Sequence, residues 1–546
     1  MLIVGIEGTA WAASAAVYDT ERDAVAIETD AYRPSDGGIH PREAAEHMRE
    51  ALPAVIETTL KRAAEWGLTP DGDDRDHPID AVAFSRGPGL GPCLRTVGTA
   101  ARSLAGTLDI PLVGVNHMIA HLEIGRHEAG FTAPICLNAS GANAHVLAYR
   151  NGRYRTLGET MDTGVGNALD KFARHAGWSH PGGPKIESAA RDGSYVDLPY
   201  VVKGIDFSFA GLSSAANEAV DDGTPVADVC RGLEETVFAM LTEVTERALA
   251  LTGRDELVLG GGVGQNDRLR SMLTTMCEER AAEFHAPEAR SLRDNAGMIA
   301  VLGARMCEAG DTIPIEDSAV DPGFRPDAVP VTWRDDPDVS LGSRADPGRG
   351  AEATVELGAD RVTKRRVRKA YRHPELDDRL RRERTRAEAR LLHEARGLGV
   401  PTPVVYDVDP GMGRLVVERV GDADLRDALS SNRVRAVGRY LARLHGGDVV
   451  HGDPTVRNVR VWTDRDPGGE RPATSIIDFG LGYHSGHVED HAMDLHVLRG
   501  SLAGTADDPG ALSAAAEAGY RAAGGDPAVL DRLAAVESRG RYRDGE

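Results

Sequence analysis

Apolar positions along this 546-residue chain switch repeatedly between two periods. A short run from Leu2 to Glu7 ends at the turn Gly8-Thr9 and predicts a first β-strand, with a second near Ala15 to Tyr18. Strand–turn units recur at Ala81-Val82-Ala83-Phe84 before Ser85-Arg86-Gly87-Pro88-Gly89, and at Ile135 to Tyr149 around Ser140-Gly141-Ala142-Asn143. Leu257-Val258-Leu259 is another, leading into Gly260 to Asn266. Between them, His40 to Trp66, Leu94 to Leu108, Ala227 to Thr252 and Arg268 to Glu279 predict helices, and Leu380 to Leu398 predicts one further on. Strand alternating with helix predicts a largely α/β architecture.

Two such regions meet at a polar joint. Phe324 to Gly350 holds four prolines, several aspartates and no apolar periodicity, and predicts a linker or surface connection. The chain length allows two to four domains. The expected division is 1–325, a linker over 326–349, and 350–546. Asp71 to Asp76 is an acidic loop inside the first module, and no repeat of solenoid length is visible.

Charge changes the picture. The net charge is −22, and six lysines stand against 57 arginines. Excess carboxylates with scarce lysine suit concentrated salt, where screening tolerates like-charge repulsion. Five cysteines, at 93, 136, 230, 277 and 307, never form a C-x-x-C spacing. They predict reduced thiols and no thiolate zinc site. The first residues carry no basic leader, and no run approaches the roughly eighteen apolar residues of a membrane span. The expected location is the cytoplasm.

Three glycine-rich turns follow predicted strands and can aim backbone N–H groups at phosphate oxygens. His117 and His121 lie four apart in Asn116-His117-Met118-Ile119-Ala120-His121. On a helix they share a face, so both can reach one metal; two core or surface histidines are the alternative. A metalloprotease of the H-E-x-x-H type is excluded, because position 118 is methionine where the general base belongs.

Near the other end, His451-Gly452-Asp453 is followed by Asn458, and then by Asp478-Phe479-Gly480. This is the spacing of a protein-kinase catalytic loop and its metal-binding triplet. Lys364 can hold α/β-phosphates and Glu388 can pair with it. Asp453 would orient or deprotonate a hydroxyl, while Asn458 and Asp478 carry Mg²⁺. A pseudokinase is the alternative. No G-x-G-x-x-G exists; Gly350-Ala351-Glu352-Ala353 stands in its place.

The first module also carries Gly166 to Arg174 around Asp170, His180 to Glu187, and Arg293-Asp294-Asn295-Ala296-Gly297-Met298. With the histidine pair, the Ser140 turn and the Gly260 loop, this ordered series resembles the universal tRNA threonylcarbamoyladenosine transferase family over roughly residues 1–325. The resemblance implies an actin-like ATPase fold of two RNase-H-like lobes. It implies iron or zinc held by His117, His121 and Asp294. It implies threonylcarbamoyl-AMP bound at Asn138, Ala139, Ser140, Gly141, Ala142, Asp170, Gly183, Glu187 and Asn266. The group would pass to the adenine amine of the tRNA base 3′ of the anticodon. One departure stands out: the family has a metal-ligating tyrosine at the position of Asn138, whose amide offers only a carbonyl oxygen. The fourth ligand is therefore open.

Lys369 to Asp377 and Glu383-Arg384-Thr385-Arg386, with the terminal Arg539 to Tyr542, resemble the minimal atypical kinase of the KEOPS complex. This covers about 350–546, a minimal protein-kinase-like α+β domain. The resemblance implies ATP and Mg²⁺, a serine/threonine kinase or ATPase activity supporting the transferase, and small KEOPS partners, one dimerising and one docking on the kinase. From Arg361 to Arg390, 13 Lys/Arg face five Asp/Glu. That footprint suits a tRNA backbone, or else a solvated helix face. The competing readings are a regulatory kinase on a non-catalytic actin-like scaffold, a sugar- or acid-kinase-like enzyme, and an assembly factor.

Overall fold

The computed structural model describes residues 1–32, 39–66, 77–141, 143–150, 152–334, 350–463 and 473–538. Ala142, the acidic loop at 71–76 and the terminal Arg539 to Tyr542 lie outside the described residues.

The first module is one plan used twice. In the first lobe, Leu2–Glu7, Ala12–Asp19 and Ala24–Ala31 form an antiparallel meander, and Ala81–Gly87 and Leu112–Asn116 add in parallel on the free side of Leu2–Glu7. In the second, Ile135–Ala139, Ala144–Arg150 and Arg153–Glu159 repeat the meander, and Glu256–Gly260 and Glu283–His285 repeat the parallel pair. Both five-stranded sheets therefore have the same order. The strands nearest each centre are buried on both faces, which is why they read as continuous apolar runs rather than alternating ones. Helix Ala296–Glu308 packs on the first sheet, with Gly303 against Ala83.

The predicted helices are present with shifted ends. Gly91–Leu108 starts three residues before Leu94, and Pro374–Gly397 starts six before Leu380, each with proline in its first turn. Proline there loses no hydrogen bond and presets φ, so it opens the helix.

Residues 326–334, expected to begin the linker, pack on the first module. Val329 and Val331 are buried in its core. Arg334 lies 4.0 Å over the Tyr149 ring and donates to the Tyr154 hydroxyl at 3.1 Å. Apolar periodicity is absent here because an irregular strap needs only two anchoring valines and one stacked guanidinium.

After residue 349 comes a four-stranded antiparallel sheet in the order Ala353–Leu357, Arg361–Arg366, Arg414–Glu418, Val405–Asp409, crossed by Pro374–Gly397. A mainly helical part follows, built on Ser431–His445, Val488–Thr505 and Pro509–Ala522. The long helix Val226–Thr252 of the first module is buried along most of its length, including Glu234, Glu235, Glu243 and Glu246. The second module helps to bury it. Glu243 accepts from Arg372 and Arg384 of the second module and from Tyr200 of its own. The five cysteines are free thiols, and no described helix is long and apolar enough to cross a membrane.

Candidate functional site

The first site lies where the lobes meet. Asn116 ends a strand and caps the next helix, its side chain accepting from the Met118 and Ile119 N–H groups. That cap fixes His117 and His121 on one face, with their rings 4.8 Å apart and nearly perpendicular. Asp294 arrives from the segment before helix Ala296–Glu308. Its Oδ1 is 3.0 Å from His121 Nε2 and 3.4 Å from His117 Nε2. One ligand atom from each residue lies within 4.8 Å of the others. Two imidazole nitrogens and a carboxylate suit iron or zinc and leave coordination positions open.

Glu7 completes the cluster. Its Oε2 is 3.2 Å from His117 Nδ1, while Oε1 accepts the Thr9 N–H at 2.8 Å. A carboxylate on the far nitrogen of a ligating histidine fixes its tautomer and orientation. Burial alone would lower the His117 pKa, but the Glu7 and Asp294 carboxylates outweigh it and push it up to about 10. Against burial, the two histidines hold the Asp294 carboxyl well below the usual range. Two carboxylates thus face the His117 ring, one on each nitrogen.

Asn138 is fully buried on the strand beside Gly260. Its Nδ2 donates to Met118 Sδ at 3.5 Å, and its Oδ1 has no partner among the described residues. Gly261 needs its glycine: φ is +86°, and a Cβ would sit 2.3 Å from the Ala139 carbonyl oxygen. Ser140 closes a tight turn on Asn143 and, with Gly141, accepts the N–H groups of Gly166 and Asn167. Gly183 leaves open space where a Cβ would be.

Other expected contacts are engaged within the protein. Asp170 accepts from the Gly182 N–H at 2.7 Å and faces His180. Glu187 accepts from the Asp267 N–H at 3.0 Å. Asn266 caps helix Asp267–Arg280 and donates to Glu234 at 2.8 Å. Glu234 was invisible as a site residue in the sequence, where it reads as one polar position in a helix.

The second site brings its predicted side chains together. Lys364 Nζ is 2.9 Å from Glu388 and 2.7 Å from Asp478. Asn458 Nδ2 donates to Asp453 Oδ2 at 2.9 Å. Asp494, absent from the sequence reading, accepts the N–H groups of His451 and Gly452 and so holds the His451–Asn458 loop. Gly452 has φ +79°, and a Cβ there would lie 2.3 Å from the Leu481 carbonyl oxygen. Arginine cannot take that conformation without strain, which accounts for the glycine.

Two features alter the expectation. Glu352, in the stretch replacing the glycine loop, turns its carboxylate to Arg247 and Arg384, and Ala351 O accepts from Lys369. A carboxylate so placed does not cradle phosphates. Arg247, from the first module, also donates to Asp453 Oδ2 at 2.8 Å. Burial pushes the Asp453 carboxyl up to about 6, with Arg247 opposing and Asp478 adding to the rise.

The basic stretch is mostly neutralised internally. Of its 13 cations, Arg365, Arg368 and Arg386 make no ion pair among the described residues.

The sequence profile of the family described as TsaD, tRNA N6-adenosine threonylcarbamoyltransferase, matches residues 23–301. A Halobacterium salinarum protein named as a probable bifunctional tRNA threonylcarbamoyladenosine biosynthesis protein is 68% identical, with 100% of this chain and 99% of that protein covered. Relatives of the same name from Haloarcula marismortui and Methanospirillum hungatei are 65% and 48% identical, each aligned over at least 99% of both chains. The chain belongs to the TsaD family of tRNA N6-adenosine threonylcarbamoyltransferases.

Proposed function

We propose that this chain transfers the threonylcarbamoyl group of threonylcarbamoyl-AMP to N6 of the adenosine 3′ of the anticodon, in tRNAs reading codons that begin with A. It acts in the cytoplasm within a KEOPS complex, with a dimerising and a kinase-docking subunit. The observation that carries the reading is the convergence of His117, His121 and Asp294 beside the Gly260–Asn266 loop.

These three residues would hold iron or zinc, with the Asn138 carbonyl as a candidate fourth donor. When bound, the ion supplies a Lewis acid for the developing charge. Glu7 orients His117. The N–H groups at Gly141 and at the Gly260–Asn266 turn are suited to phosphate and adenosine, and Gly183 leaves room for the nucleotide. Asp170 and Glu187 hold the loops around that space.

The second module is a minimal atypical protein kinase acting as an ATPase or serine/threonine kinase that regulates the transferase. Lys364, aligned by Glu388, would hold ATP phosphates, and Asn458 and Asp478 would hold Mg²⁺. Asp453 would accept the proton of the attacking hydroxyl.

The test is transfer of labelled threonylcarbamoyl from its adenylate to unmodified tRNA, in high salt with the small subunits supplied. Loss of transfer in His117→Ala is expected. Retained transfer would return the first module to a scaffold for a regulatory kinase.

A further inference from the structure

Between the modules lies an open cavity of about 600 Å³ that no step above uses. The first module lines it with Arg231, Glu235 and Arg268, and the second with Arg368, Arg372 and His373. Arg268 is two residues beyond Asn266, so the cavity adjoins the nucleotide loop of the transferase.

Its lining carries five cationic side chains, Arg231, Arg268, Arg368, Lys369 and Arg372, and one carboxylate, Glu235. Arg231 and Arg268 share the single carboxylate of Glu235, at 2.8 Å each. Arg368 is exposed and has no ion pair among the described residues. Arg372 is buried with its Nη2 on Glu243, and its Nε has no partner. Lys369 contributes little, because its ammonium is held by Glu246 and Ala351 O. Two further carboxylates touch this segment: Asp377 accepts the Lys369 N–H at 3.2 Å and lies 3.6 Å from Arg372 Nη1, and Glu279 accepts the Ala370 N–H at 3.3 Å.

The cavity also meets the start of the 24-residue helix Pro374–Gly397, whose His373 cap makes no side-chain capping bond. His373 Nδ1 is buried without a partner. A helix N-terminus carries positive partial charge, which Glu375 and Asp377 in the first turn offset here, so the cations facing the cavity are its guanidinium groups. The volume is far greater than one free phosphate ion requires, and both modules supply cations.

We propose that this cavity seats a backbone phosphate of the tRNA, held by Arg231, Arg268 and Arg368. The inference rests on the tRNA-modifying reading and adds the place where the substrate touches both modules at once. A recess also answers the problem of concentrated salt. The Debye length is about 3 Å at 1 M, so distant surface charges steer weakly, whereas donors in a recess act at contact.

The experiment is tRNA affinity of the full-length protein by fluorescence anisotropy over a KCl series. Wild type is compared with the double variant Arg231→Ala/Arg368→Ala and with Arg386→Ala, an exposed unpaired arginine outside the cavity. The double variant should bind tRNA about tenfold more weakly, with the slope of log affinity against log salt reduced by about one. Arg386→Ala should match wild type, and affinity for threonylcarbamoyl-AMP should be unchanged in all three. Equal tRNA affinity in the double variant and wild type overturns the proposal, as does an equal loss in Arg386→Ala. Inorganic phosphate or pyrophosphate binding that the double variant abolishes, with tRNA affinity untouched, overturns it in favour of a free-anion site. Wild type that neither binds nor modifies tRNA would instead sink the functional reading itself.

Discussion

Arg247 of the first module places Nη1 2.8 Å from Asp453 Oδ2 of the second. The same guanidinium bonds Glu243 through Nε and Glu352 through Nη2. A cation from the transferase thus occupies the carboxylate that would accept a proton in phosphotransfer. Arg247→Ala should raise nucleotide hydrolysis by the full chain about tenfold, the equivalent of ~1.4 kcal/mol in barrier height. Steady-state phosphate release measures this, with Asp453→Ala as the inactive reference.

The pH profile follows from the same contact. With its carboxyl near 6, Asp453 is protonated below that pH and cannot accept the hydroxyl proton. Hydrolysis should fall as pH drops through about 6. Removing Arg247 removes a charge that favours the carboxylate, so in Arg247→Ala the acidic limb should move to higher pH. A pH–rate series on both proteins checks the direction.

Glu243 is the anchor of the module boundary. Arg247, Arg372 and Arg384 converge on it, and all four residues are largely shielded from water. Glu243→Ala leaves three arginines without that partner and should destabilise the joined modules by about 3–5 kcal/mol. Urea denaturation followed by tryptophan fluorescence would register a lowered midpoint.

At the cluster proposed to hold a metal, His117, His121 and Asp294, His121→Ala should abolish tight binding of one divalent ion per chain. Glu7→Gln, which removes the charge beside His117 and leaves an amide oxygen for the Thr9 N–H, should weaken it roughly 10–100-fold. Competition with a chromophoric chelator gives both numbers independently of activity.

Protein-kinase catalytic loops read His-Arg-Asp; Gly452→Arg gives that sequence at a backbone φ of +79° and drives a Cβ toward the Leu481 carbonyl. It should cost more than about 2 kcal/mol and reduce nucleotide affinity. Thermal melting with and without ATP tests this.

Much of this could be read from the chain. The strand Leu2–Glu7 and the pair His117 and His121 are local patterns, and local patterns survive folding. The closure of Glu7 on His117 joins positions 110 apart, and no spacing rule announces it. Glu243 and Glu246 are two carboxylates within the helix predicted over Ala227 to Thr252; only the second module, packed across them, makes them buried acceptors. The strap at 326–334 was illegible for the opposite reason, since few apolar residues suffice to pin an irregular segment. The basic stretch overstated its free charge because Lys369, Arg372, Arg379 and Arg384 find carboxylates on the first module, and most of the others pair within their own.

The most direct single measurement is the threonylcarbamoyladenosine content of tRNA after reaction with threonylcarbamoyl-AMP, quantified by mass spectrometry for wild type, His117→Ala and Asp453→Ala. The account predicts no modified nucleoside with His117→Ala and measurable single-turnover product with Asp453→Ala. Wild-type yield from His117→Ala would contradict it.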